Sequence, residues 1–184
     1  MNTCQGRALV ASPYLSDPHF MRSVVYILRH DEQGAFGLVL NRPLNLSVGA
    51  LLEELTDYNL ENSDPVFYGG PVDGLVMMMQ VVMGDPDHNN AVLVASDRDR
   101  ISEIFHQKGF LSCQFRLFDG YSGWGPQQLD DELSEGSWMI WDILPDQLFT
   151  SPDQLWQLAV REIGRDIIAM GIAGSELPQD PSNN

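Results

Sequence analysis

The sequence contains few basic residues, and lysine is almost absent. Ten lysine and arginine residues stand against 26 acidic residues in a chain of 184, so the formal net charge is −16. Lys108 is the single lysine, and the arginines are spread along the chain instead of forming a cluster. Because nucleic-acid affinity depends largely on grouped bases that neutralise phosphates, this distribution argues against direct nucleic-acid binding. It predicts a solvated acidic surface, with a negative face that docks a basic partner protein as the alternative.

Cysteine is also scarce, and long apolar runs are missing. Cys4 and Cys113 have no CxxC spacing, so we expect two reduced thiols, the first near a mobile terminus and the second on a strand. No apolar run approaches the roughly 18 residues that a membrane-spanning helix requires, and the first residues lack the order of a secretory signal. The 4 histidines show no metal-binding spacing. These absences predict a cytoplasmic protein with no membrane attachment, no bound metal and no cofactor.

What the chain does contain is a series of apolar strands with helices between them. The runs at 24–30 and 35–41 predict a hairpin whose second strand ends at Pro43. Further strands are predicted at 66–68, 75–84, 91–96, 113–119 and 138–144. Helices are predicted after Ser47, from Ser96 to Gly109, from Pro126, and from Pro152 to Gly171, the last with an apolar face that includes Ile167.

This order of elements predicts an α+β (α/β-like) fold, in which a mixed β-sheet is flanked by three to four helices. Residues 1–174 are predicted to form a single domain, and residues 175–184 a disordered tail.

The most distinctive stretch is GYSGWGPQQL at 120–129, which predicts a strand-to-helix turn. A nucleophile elbow requires GxSxG, and Trp124 stands where its second glycine belongs. The backbone of Gly123 and Gly125 could cradle a phosphate, although Pro126 removes a donor and acidic residues follow. We expect a structural turn in which Trp124 packs inward. A cleft or partner contact formed by Tyr121 and Trp124 stays open.

Two other motifs have simpler interpretations. Asp85, Asp87 and Asn89 have the spacing of half a calcium loop, but its glycine and glutamate are missing, so a hairpin turn is predicted. The methionines at 77–79 and Met83 are predicted to fill a strand core, with a methionine-rich partner groove as the alternative.

Arg22 and Arg42 lie beside the ends of the predicted hairpin, and two interpretations of them stay open. Each guanidinium could clamp a carboxylate or phosphate with two parallel hydrogen bonds. Alternatively, each could satisfy backbone carbonyl groups or pair with an acid such as Asp17.

Three segments together resemble the bacterial AlgH/YqgE family: ASPYLSDPHFMRSVVYILRHDEQGAFGLVLNRP at 11–43, GGP at 69–71 and GYSGWGPQQLDDEL at 120–133. The resemblance implies a cytosolic bacterial protein with a mixed-sheet α+β fold. Members are labelled transcriptional regulators, while their biochemical activity is not established. The chain departs from many relatives at Gln80, near which they carry a histidine, so no role can rest on that histidine here.

The family segments supply a candidate binding cleft and no assigned catalytic residue. Its members are Arg22, Ser23, Asn41, Arg42, Gly69, Gly70, Tyr121, Ser122, Gly123, Trp124 and Gly125. We expect a non-enzymatic module that binds a protein partner or a small anionic ligand and acts indirectly in regulation. An unrecognised enzyme that uses the same cleft is the alternative. Convergence of Arg22, Arg42 and the 120–125 segment would favour the ligand hypothesis.

Overall fold

A computed structural model describes residues 3–55, 60–82, 91–96, 98–106 and 114–174 of the chain. Within them lie nine strands: β1 Ala8–Ala11, β2 Val24–Asp31, β3 Gly34–Val39, β4 Pro43–Ser47, β5 Pro65–Tyr68, β6 Val72–Val82, β7 Ala91–Ala95, β8 Phe115–Trp124 and β9 Trp138–Trp141. The helices are α1 Val48–Leu55, α2 Arg98–His106, α3 Gln128–Ser134 and α4 Pro152–Gly174, and a 3₁₀ turn spans Gln147–Phe149.

The strands form one mixed sheet, as the sequence predicts. Its main path runs β4-β5-β8-β3-β2-β1-β9, while β6 pairs with β8 and carries β7 at its side. The pair β5–β8 is parallel, and the other described pairs are antiparallel. The predicted hairpin of β2 and β3 is confirmed, with Asp31 opposite Gly34 at its turn.

Apolar side chains on both faces of the sheet form the core. Leu155 and Ala159 of α4 pack with one buried cluster, while α1 and α2 cover a second. Met77, Met78 and Met79 are buried, which confirms their predicted place in a strand core. Met78 lies in a different cluster from its two neighbours, because successive strand side chains point to opposite faces.

β8 is the strand on which the sheet branches, and it corrects the prediction for 120–125. Its first half pairs with β6 and β5, and Ser122 to Trp124 pair with β3. The segment GYSGW is therefore strand and not a turn, and α3 begins at Gln128 rather than at Pro126. Tyr121 pairs with β6, and Ser122 to Trp124 pair with β3, so tertiary pairing overrides the low β-propensity of the glycines in this segment.

Three smaller predictions can be compared with the structure. β3 ends before Pro43, as predicted, and Pro43 also opens β4, because a proline is tolerated as the first residue of an edge strand. Helix α4 continues past Gly171 to Gly174, and Ile167 on its predicted apolar face is 63% exposed. Cys4 is a free thiol as expected, its side chain is buried, and its N–H donates to His30 Nδ1.

Several predictions fall outside the described residues: Met83, the turn with Asp85, Gly109, Cys113 and the tail at 175–184. No helix in the described part of the chain has both the length and the apolar character needed to cross a membrane. Within that same part, no group of three or more His, Cys, Asp and Glu side chains could hold a metal ion.

Candidate functional site

Asn41 and Ser23 hold the backbone at the start of β2. The Asn41 side chain accepts a hydrogen bond from the Val24 N–H at 2.9 Å and donates one to the Arg22 carbonyl at 2.9 Å. Ser23 is completely buried, and its hydroxyl donates to the Phe20 carbonyl at 2.7 Å. The polar groups of both side chains are therefore engaged with the chain's own backbone.

Arg42 fastens the loop that precedes β2. Its Nη1 donates to the Pro18 carbonyl at 3.0 Å, and its Nη2 donates to the Met21 carbonyl at 3.1 Å. Of the two interpretations of this arginine, the structure shows the one in which it satisfies backbone carbonyls. Arg22 adopts a left-handed backbone with φ 56°, and its guanidinium lies 5.9 Å from the centre of the Trp156 ring.

Gly69 and Gly70 bring the end of β5 against the backbone of β8. The Gly69 N–H donates to the Asp119 carbonyl at 2.8 Å, and the Ser122 hydroxyl donates to the Gly69 carbonyl at 3.1 Å. A Cβ at Gly69 would lie 2.0 Å from the Gly120 carbonyl oxygen, which no real contact allows. The two family segments therefore meet backbone to backbone, and Ser122 is fully buried within that contact.

Tyr121 and Trp124 lie on opposite faces of the sheet, so a single cleft cannot use both. Trp124 is buried beside Phe20, with ring centres 6.0 Å apart, in the cluster that contacts α3. Tyr121 contacts Phe36 edge-on, also at 6.0 Å, and lines a cavity of about 240 Å³ with Arg29 and Leu75.

The remaining glycines of the segment do not form an open cradle of N–H groups. Gly123 lies in the β3–β8 pairing, opposite Phe36. The Gly125 N–H donates to the Gln128 side-chain oxygen at 3.1 Å. A phosphate at this position would have to displace that amide.

Tyr68 connects the two groups of family residues. Its N–H donates to the Arg42 carbonyl at 2.8 Å, and its hydroxyl lies 3.1 Å from His19 Nδ1. Burial raises the pKa of the Tyr68 hydroxyl above its ordinary value, and nearby Arg42 opposes that change. Arg42, Gly69 and Ser122 are thus connected through Tyr68, and they brace the loop before β2 and the branch of the sheet, whereas Tyr121 and Trp124 lie apart on opposite faces.

Arg116 is the residue that the sequence-based search missed. It lies on β8 opposite Met79 and is only 8% exposed. Its Nη1 donates to the carbonyls of Leu40 and Leu148, both at 2.9 Å, and its Nη2 donates to that of Thr150 at 2.9 Å. One signal was available: strand alternation puts Arg116 on the same face as the apolar Phe118, and a charge at a core position is unusual.

Among the described residues, the buried charge of Arg116 has no acidic partner. None of the ion pairs among the described residues includes it. Its guanidinium carbon lies 4.4 Å from the centre of the Phe67 ring and 5.4 Å from that of Phe149. Burial lowers the pKa of Arg116 to about 10, so the side chain stays protonated at neutral pH.

A cavity of about 470 Å³ opens beside this cation. Arg116, Phe67 and Phe149 line it, together with the first residues of α1 and α4, Val48 and Pro152. The N-terminus of a helix carries partial positive charge. The cavity therefore combines a desolvated guanidinium with the positive ends of two helices.

Comparison with known proteins agrees with the motif resemblance. A family model described as AlgH-like matches residues 8–168. A UPF0301 protein of Idiomarina loihiensis is 36% identical over 93% of this chain and 97% of its own. One from Streptomyces coelicolor is 37% identical over 100% of this chain and 97% of its own.

Two solved structures show a similar fold. The solution structure of the AlgH protein from Pseudomonas aeruginosa has a TM-score of 0.69 and 25% identity, and the match covers 96% of this chain and 97% of that one. A crystal structure of a Corynebacterium diphtheriae protein has a TM-score of 0.65 at 24% identity over 88% of each chain. The chain belongs to the AlgH-like family.

Proposed function

We propose that this protein is a cytoplasmic, non-enzymatic binding module that takes a small anionic ligand in the Arg116 cavity and acts indirectly in regulation. The observation that carries the proposal is the buried guanidinium of Arg116, which belongs to no ion pair among the described residues and lies at the wall of a cavity of about 470 Å³. Ligand cavities in proteins commonly have volumes of about 300–1,000 Å³ and few polar groups.

Electrostatics supports an anion as the ligand. Removing a charge from water is costly unless other groups compensate for the lost hydration. Carbonyl oxygens and ring faces compensate Arg116 only in part, as its lowered pKa indicates. An anion beside it would supply the missing negative charge, and the helix ends at Val48 and Pro152 would add to its stabilisation.

The negative net charge of the protein does not remove the preference of this cavity for an anion. The net charge of −16 repels anions at long range, but salt screens that repulsion over about 10 Å at 0.1 M. Contact with a desolvated guanidinium is screened much less. We therefore expect slow capture at low salt and a bound state that depends mainly on Arg116.

The state of the family serines favours binding over catalysis. Both Ser23 and Ser122 are completely buried, and each hydroxyl donates to a carbonyl of the chain. A nucleophilic serine needs an exposed oxygen and an adjacent base. Burial also raises the pKa of the Cys4 thiol, which disfavours the reactive thiolate.

Titration with acetate, sulfate and benzoate, followed by two-dimensional NMR, tests the proposal. We expect at least one anion to shift the Nε–H signal of Arg116 and the amides of Phe67 and Phe149. The matched control is Arg161→Ala, because Arg161 lines a different cavity on α4 and its loss should leave these shifts unchanged. Shifts confined to the surroundings of Arg161, or none with any anion, would overturn the proposal.

A further inference from the structure

We infer that the ligand of the Arg116 cavity is a monocarboxylate that carries a flat, apolar body. This inference rests on the proposed function and specifies its ligand. Three features of the cavity lead to it: the donors left on Arg116, the charge around them, and the rings of the wall.

The unused donors of Arg116 suit a carboxylate. Each terminal nitrogen of a guanidinium carries a pair of N–H groups, and Nε carries another. Nη1 donates to the carbonyls of Leu40 and Leu148, and Nη2 donates to that of Thr150. These three described acceptors serve five N–H groups, and none of them accepts from Nε. The two oxygens of a carboxylate match donors on Nε and on a neighbouring terminal nitrogen.

The local charge favours one negative charge over two. Arg116 is the only cation among the described residues that line this cavity, and the acidic residue Asp64 lines it as well. The α1 amides of Val48 and Gly49 already donate to the backbone carbonyls of Asp64 and Asn62. Helix α1 therefore contributes positive electrostatic potential to the cavity, and these two N–H groups are not available to a ligand. A second charge on the ligand, as in a phosphate monoester, would be desolvated without a partner.

The rest of the wall suits a flat, apolar body. Phe67, Phe115 and Phe149 line the cavity together with Pro65 and Pro152. Aromatic rings prefer offset or edge-on contacts with other rings. A planar ring attached to the carboxylate can meet these walls while its charged end reaches Arg116, whereas a fully polar acid would leave them in contact with water.

A matched series of small molecules tests the inference, with NMR titration as the measurement. Benzoate has the inferred features, benzamide lacks the charge, acetate lacks the ring, and phenyl phosphate carries a second charge. We expect benzoate to shift the Arg116 Nε–H signal, and benzamide and acetate to bind at least about tenfold more weakly. Phenyl phosphate should bind no more tightly than benzoate.

The outcomes separate the inference from the proposed function. Tighter binding of phenyl phosphate, or equal binding of acetate and benzoate, would overturn the inference and leave the anion-binding function standing. Failure of every anion would overturn both. Equal binding of benzamide and benzoate would also overturn both, since the charge would then contribute nothing.

Two variants connect the binding to the named side chains. Arg116→Lys keeps the charge but loses the paired donors, so benzoate should bind at least about tenfold more weakly. Phe149→Leu keeps an apolar wall without its ring, and should reduce the preference for benzoate over acetate even if Arg116→Lys fails to fold. Wild-type preferences in a folded Phe149→Leu variant, or wild-type benzoate affinity in a folded Arg116→Lys variant, would contradict the inference.

Discussion

At Gly69 the absence of a side chain lets the end of β5 lie directly against the backbone of β8. The Gly69 carbonyl also accepts hydrogen bonds from the Val39 N–H and the Ser122 hydroxyl, so three segments meet at this residue. The requirement for glycine here comes from packing, since a Cβ would lie 2.0 Å from the Gly120 oxygen. The family motif GGP is therefore explained by the branch of the sheet.

Replacing Gly69 by alanine should destabilise the protein by more than about 3 kcal/mol, because overpacking forces backbone shifts. The matched control is Gly164→Ala in α4, where a Cβ meets nothing within 4 Å. That control should stabilise by about 0.5–1 kcal/mol, since glycine weakens a helix. Urea unfolding followed by circular dichroism measures both. A loss below about 1 kcal/mol at Gly69 would contradict the packing argument.

Glu132 satisfies two buried tryptophans at once. Its Oε2 accepts from Trp124 Nε1 at 2.9 Å and from Trp138 Nε1 at 2.8 Å, while its Oε1 accepts from Gln128 Nε2 at 2.9 Å. The carboxylate thus joins α3 to β8 and β9. This side chain explains how Trp124, from the family segment, can be buried with its indole N–H paired.

Glu132→Ala should lower the free energy of unfolding by about 2–4 kcal/mol, because two indole N–H groups lose their acceptor. Glu135→Ala is the control, since Glu135 is exposed and lies one turn further along. Chemical unfolding followed by circular dichroism compares the two, independently of tryptophan emission. Similar losses in both variants would show that the indole contacts contribute nothing.

Among the elements, the loop between β1 and β2 depends most on side chains from elsewhere. Arg42 and Asn41, from the segment before β4, bind the Pro18, Met21 and Arg22 carbonyls. Phe20 packs into the core against Trp124 and Trp138. The long family signature at 11–43 therefore describes a loop together with the residues that hold it.

Arg42→Ala should loosen this loop while leaving the sheet intact. We expect amide hydrogen exchange at residues 17–22 to become at least about tenfold faster, because two anchoring hydrogen bonds are lost. Arg165→Ala is the control, since its guanidinium is exposed and its one ion pair among the described residues, with Glu162, is 3.7 Å long. Unchanged exchange in the Arg42 variant would show that Asn41 and Phe20 hold the loop without it.

Segments with a periodic pattern of apolar residues were predictable from sequence. Segments whose conformation depends on pairing with a distant strand were not. The β2–β3 hairpin and the start of α4 at Pro152 follow from local patterns of apolar residues and caps. The prediction for the GYSGW segment was wrong because glycines and a tryptophan before a proline resemble a turn locally. Its strand conformation depends on β3, which lies more than 80 residues earlier in the chain. The candidate site likewise required contacts that no local pattern encodes.

At the scale of the whole molecule, the thiol and phenol groups of partly or fully buried side chains link the free energy of unfolding to pH. Burial raises the pKa of Cys4, Tyr26 and Tyr68 above their ordinary values of 9.0, 10.0 and 10.0. As pH rises through those values, the unfolded chain releases these protons first, so the folded state loses stability. Arg116 has the opposite sign, because its folded pKa of about 10 lies below its unfolded value. It releases its proton first in the folded state and offsets part of the loss above pH 10.

Tyr26→Phe should make the protein less sensitive to alkaline pH. The variant keeps the buried ring but removes the ionisable hydroxyl, so its free energy of unfolding should fall less between about pH 9 and 11. Tyr14→Phe is the control, since Tyr14 is 94% exposed. Urea unfolding at a series of pH values measures the difference. Parallel curves for wild type and Tyr26→Phe would contradict the linkage.

The net negative charge, the α+β class and the family follow from composition, periodicity and motif spacing, which are read directly along the chain. The contacts of the family residues and the position of a buried charge follow only from the folded arrangement. Arg116 is held by carbonyls 76, 32 and 34 residues away. Its burial and its spare donors arise only when β8, the 3₁₀ turn and the end of β3 meet, so no window of sequence around it could reveal them.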